Sequence, residues 1–154
     1  MNKDACGVLG SALTGALTGW LALALWQWAD TEDTRSCADS TSVCLTYYPL
    51  TGTLTWAVLA AVVLAIALPL VGVRPRKTAA AASLALQMYA LAVIGPFAPR
   101  DAPDTNAPNL IALALGPALV GVCAVPAWRR AGLIAIGVLV VAGMAAVGID
   151  KDMF

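Results

Sequence analysis

Five stretches of about 20 mostly apolar residues, each the length of a membrane span, alternate with short polar segments along the chain. They cover residues 8–28, 52–73, 78–97, 109–127 and 131–149, and no Asp, Glu, Lys or Arg falls inside any of them. The last two follow from an apolar run over 109–149 that only Pro126-Ala127-Trp128-Arg129-Arg130 interrupts. One helix of that length would measure about 60 Å, twice the hydrocarbon thickness, so two spans joined by a tight basic turn are expected. Lipid offers backbone groups no hydrogen-bond partner, which leaves helices as the spanning form. The ten-residue alternation of a barrel strand is missing. The pattern therefore predicts an all-α integral membrane protein, a single transmembrane domain over 1–154 with five transmembrane helices.

The connections differ in character. Residues 29–51 make a long polar outer loop, 98–108 make a second whose prolines 99, 103 and 108 oppose continued helix, and Arg74-Pro75-Arg76-Lys77 form a basic turn. The first span is read as retained rather than as a cleaved signal. Lys3 is cancelled by Asp4, and the apolar stretch exceeds a usual signal core, although Ala22-Leu23-Ala24 resembles a cleavage site.

Composition agrees with the pattern: 60% of residues are hydrophobic, 12% are charged and mean hydropathy is +0.82. No basic stripe is present to neutralise phosphates, so a nucleic-acid partner is not expected. Abundant Ala, Val, Leu and Gly suggest a GC-rich bacterial source. The charges sort by side. Lys3, Arg74, Arg76, Lys77, Arg129 and Arg130 fall on one face, six of the nine basic residues, together with Asp4, one of the nine acidic ones. The positive-inside rule makes that face cytoplasmic, with the N-terminus inside, the C-terminus outside and the protein multi-pass in the plasma (inner) membrane. Trp26, Trp28, Tyr47, Tyr48 and Trp56 then mark the outer boundary and Trp128 the inner one.

Candidate chemistry is sparse. The chain has no histidine, which removes the commonest metal ligand and proton shuttle. Four cysteines lack zinc spacing and contain no CxxC, so neither a metal nor a cofactor site is expected. Cys37 and Cys44 share the outer loop and are expected to be bridged, whereas Cys6 and Cys123 are expected to be free thiols. Asp30, Glu32 and Asp33 lack the spacing of a calcium loop and read as a solvated surface.

Gly7, Ser11, Gly15 and Gly19 recur every four residues and draw a small-residue ridge along the first span. Packing within the monomer is the expected use of that ridge, ahead of a homodimer seam. Gln87 is the most polar side chain inside a span, with Ser83 one turn before it on the same face. Pro117 removes the donor that the Leu113 carbonyl would otherwise receive, and Gln87 is placed to replace it. A structural clamp is the first reading and a substrate-binding amide the second.

With no buried charge and no catalytic constellation, the first functional expectation is a non-enzymatic accessory, assembly or immunity-type subunit. Its partners would be the lipid bilayer and other membrane subunits, or itself, met through helix–helix contacts. An alternative is a subunit of an uncoupled transporter or channel, with Ser83, Gln87 and Pro117 lining a path. A third is a membrane thiol–disulfide oxidoreductase using Cys37 and Cys44. The threading is directly testable. A reporter fused after Phe154 should score extracytoplasmic, and a cytoplasmic score would reject the five-span, N-inside arrangement.

Overall fold

The computed structural model describes residues 3–38, 44, 46–73, 76–95 and 105–150, and for positions 3, 4, 76 and 148–150 the backbone only. Most of the expected second loop (98–108) and the residues after Asp150 lie outside the described residues. Five helices account for nearly all of the rest: α1 (Lys3–Cys37), α2 (Tyr48–Leu70), α3 (Arg76–Ile94), α4 (Ala107–Ala124) and α5 (Arg129–Asp150). Each contains a segment long and apolar enough to cross a membrane.

The helix ends follow local chemistry. α2 opens with Pro49 in its first turn, where a missing N–H costs nothing. It closes on Gly72, whose φ of 88° places it in the left-handed region. Val73 N donates to Leu68 O at 2.9 Å and Val73 is buried against Leu68, which completes a Schellman stop. At the start of α4, Asn106 accepts from Asn109 N at 3.0 Å and Pro108 occupies the first turn. The α4–α5 turn is held by Trp128 N donating to Val125 O at 3.0 Å.

Helices α1 to α4 form a closed ring in chain order, since α1 packs on both α2 and α4 and α3 packs on α2 and α4. α5 lies outside it, mainly against α4 and only lightly against α3. The core has two apolar layers. Leu23, Trp56, Leu91 and Leu113 belong to one, toward the disulfide end, and Leu64, Leu68, Ala79 and Val120 to the other, toward the basic turns. Buried Ser11, Thr18, Ser83 and Gln87 lie among them, while Leu54, Val62, Ile66, Val138 and Val141 are exposed. So many large aliphatic side chains left on the outside are what an apolar solvent favours.

Several expected boundaries shift. α1 runs 35 residues, about 52 Å, and carries its helix well past residue 28 into the segment expected as loop. Nothing from Ala29 to Cys37 breaks a helix, and Arg35 pairs with Glu32 at 2.9 Å one turn away. The outer connection is correspondingly shorter, because α2 begins at Tyr48 rather than at residue 52. α4 and α5 each begin two residues earlier than expected, and α4 ends at Ala124, before Pro126. Trp56 is also not a boundary residue: it is 2% exposed and belongs to the core. Trp28 and Tyr48 meet edge to face at 6.1 Å, and Tyr47 stacks on Tyr48 at 4.9 Å, where the chain leaves the apolar zone.

The small-residue ridge of α1 explains how closely the ring closes. A Cβ on Gly15 would lie 2.8 Å from Pro117 Cγ, and one on Gly19 would lie 2.7 Å from Leu113 Cβ. Ser11 abuts Gly121 in the same way, whereas Gly7 meets the Val71 carbonyl of the α2–α3 turn. Three members of the ridge therefore face α4 and the fourth faces that turn. Gly15→Leu and Gly19→Leu should each lower stability by about 1–3 kcal/mol through overpacking. Leu13→Ala, at a position 72% exposed, should change it little. Thermal unfolding in detergent checks the contrast.

Candidate functional site

The most polar place inside the ring is built by three helices. Pro117 in α4 has no N–H, so the Leu113 carbonyl loses its intrahelical donor in surroundings without water. Gln87 of α3 reaches across, and its Nε2 lies 3.3 Å from Leu113 O and 2.9 Å from Gly15 O of α1. Thr18 Oγ1 lies 3.1 Å from Gln87 Oε1 and 2.8 Å from Nε2. The two carbonyls fix the amide's orientation, because the flipped amide would set Oε1 against both of them. Nε2 has Gly15 O and Thr18 Oγ1 as its near acceptors and Leu113 O at longer range, and the Thr18 hydroxyl, which also reaches Thr14 O at 3.0 Å, faces Oε1, so each polar atom of the amide has a partner. Trp56 Nε1 donates to Thr18 O at 2.9 Å, which ties α2 to the same point. All four helices of the ring meet here.

Chain position alone brings Gln87 and Pro117 together through the orphaned carbonyl, but it leaves Thr18 and Trp56 unnoticed. Thr18 has a visible signal, since it follows Gly15 by three residues on the same helix. Trp56 has none, because a tryptophan near a span end reads equally as an interfacial anchor. Ser83 behaves differently from its neighbour. It is fully buried, and among the described residues its Oγ is the only buried side-chain polar atom without a hydrogen-bond partner. The Gln87 amide is already engaged and does not serve it.

The disulfide end is a separate feature. Cys37 and Cys44 are bridged, with Cα atoms 5.8 Å apart, and the bridge folds the chain back at the C-terminal end of α1. Thr46 donates to the Asp33 carboxylate beside it. Cys6 and Cys123 are free thiols. Among the described residues no group of His, Cys, Asp or Glu is placed to hold a metal ion.

Two hollows flank the clamp, and of its residues only Trp56 lines one of them. One, of about 250 Å³, lies between α1, α2 and α3 toward the disulfide end, walled by Trp26, Trp56, Met88 and Leu91. The other, of about 510 Å³, lies between α3, α4 and α5 toward the basic turns, with Arg129 in its wall. Neither is lined by Ser83, Gln87 or Pro117.

No protein-family model, curated protein or solved structure matches this chain.

The clamp makes two opposed predictions. Gln87→Leu keeps the volume but strips the Leu113 carbonyl of its donor, and should destabilise the protein by about 0.6–1.7 kcal/mol, from the average to the largest value measured for interhelical hydrogen bonds in a membrane protein. Ser83→Ala removes an unsatisfied buried hydroxyl and should leave stability unchanged or raise it. Thermal unfolding of both variants in one detergent tests the pair, and equal losses would contradict the assignment.

Proposed function

We propose that this is a non-catalytic accessory or assembly subunit of the plasma (inner) membrane that works by presenting α5 to another membrane helix. The observation that carries this reading is Gly137. The helical glycines 7, 10, 15, 19, 52, 116, 121, 132 and 143 all have a neighbouring atom within 4 Å of where a Cβ would stand, and Gly137 has none. It faces outward on α5, between exposed Ile134, Val138 and Val141. Of the described residues of α5 only Gly132 is buried. In a chain whose helical glycines otherwise mark close approach, an open one on the least covered helix suits a contact with a second membrane protein or a second copy.

The other features support a contact role over a transport path or a redox centre. Gln87 is fully buried with its amide engaged, which suits a clamp better than a translocating surface. Cys37 ends α1, where the helix dipole disfavours a thiolate, whereas exchange centres place the attacking thiol at a helix N-terminus. The bridge is thus better suited to holding the outer connection. An N-inside, C-outside threading is part of the proposal and rests on the charge bias. Lys77, Arg129 and Arg130 lie at the helix ends on one side of the bundle, and Asp30, Glu32 and Asp33 toward the helix end on the other.

Gly137→Leu should abolish copurification of a membrane partner, or crosslinking between copies, while leaving the melting temperature in detergent unchanged. Mass spectrometry after purification in mild detergent reads the first and thermal unfolding the second. A wild-type protein that stays a solitary monomer under crosslinking in native membranes would reject the proposal.

A further inference from the structure

The hollow near the basic turns has a shape and a charge that nothing described so far uses. α3 and α5 meet toward the disulfide end, where Tyr89 donates to Val140 O and Gly143 sits against Val93. Toward the other end the two helices are separated by a groove of about 510 Å³. Ala79 and Ala82 of α3 are too small to fill it, Val120 of α4 forms its floor, and Leu133 and Ile136 of α5 form its far wall. Arg129 stands in the wall at the end where α5 begins, and it is exposed. From Arg129 to Ile136 the groove runs about 10 Å along α5.

The order is a cation at the membrane boundary followed by an apolar channel leading inward. No carboxylate lies within ion-pair distance of Arg129 among the described residues. A guanidinium prefers a bidentate oxyanion, and the apolar depth beneath it needs a hydrocarbon chain. We propose that this groove is a binding site for one anionic phospholipid, its phosphate on Arg129 and an acyl chain lying between α3 and α5 over Ala82 and Val120. Charge complementarity selects an anionic headgroup over a zwitterionic one, whose own ammonium would compete with the guanidinium. The chain would fill the space that α5 leaves open against the ring, so the lipid would act as part of the packing of the outermost helix. This inference is independent of what α5 presents on its outward face.

Native mass spectrometry of the full chain in maltoside detergent tests it, with phosphatidylglycerol and phosphatidylcholine of identical chains as probes. The wild type should retain phosphatidylglycerol about fivefold over phosphatidylcholine, the preference one basic residue near a headgroup supplies. Arg129→Ala should erase the preference, Arg129→Lys should keep part of it, and Arg130→Ala, outside the groove, should keep all of it. Ala82→Leu, which fills the groove, should lower retention of both lipids. Equal retention of the two lipids by the wild type, or an undiminished preference in Arg129→Ala, would overturn the proposal. So would displacement of the lipid by millimolar glycerol phosphate, which would mark a site for soluble phosphate.

Discussion

Pro117 creates the constraint around which the ring is assembled. By removing one N–H in the interior of α4 it leaves the Leu113 carbonyl without its helical donor, and hydrocarbon offers no replacement. Water cannot answer that need, so another helix must. Gln87 answers it from α3, and once its amide is committed there it also holds Gly15 and Thr18 of α1. The same proline presses its ring onto α1 at Gly15, a contact that a larger residue at that position would prevent. One residue thus sets both the polar need and the distance at which it is met.

This arrangement works because polar and packing terms reinforce one another. Interhelical hydrogen bonds in membranes are worth only about 0.6 kcal/mol on average, too little to hold a bundle alone. Close packing along Ser11, Gly15 and Gly19 supplies dispersion over several turns, and the short backbone separation brings Thr18, Gln87 and Trp56 within reach of one another. Loss of the ridge would therefore remove the geometry of the clamp as well as its contacts. The unserved hydroxyl of Ser83 shows that the interior is not uniformly optimised.

The ends of the bundle carry a different economy. At one end the helical extension of α1, the Cys37–Cys44 bridge and the Trp28–Tyr48 contact stiffen a short connection that begins and ends in helix. At the other, Lys77, Arg129 and Arg130 stand at the starts of α3 and α5, and a groove lies beside Arg129. α5 is the exception to the compactness of the rest. It is joined to α4 through a short turn and leans on the ring mainly along α4, with only a light contact to α3.

The sequence by itself determined the number and approximate place of the five spans and set a polar amide beside a proline-orphaned carbonyl. Backbone hydrogen bonding in lipid admits few alternatives, and prolines and the basic turns mark the breaks between the later spans. Cys37 and Cys44 were legible as a pair because they lie seven positions apart in one polar outer connection. Only the tertiary structure decided which face of each helix turns inward. In a span that is apolar all round, periodicity no longer distinguishes core from surface. For that reason Trp56 could be placed in the core, Thr18 joined to Gln87 and Gly137 left open only once the helices were set against one another. The two extra turns of α1 were hidden for a related reason: polar residues that read as loop can equally continue a helix in water, where nothing but a breaker stops it.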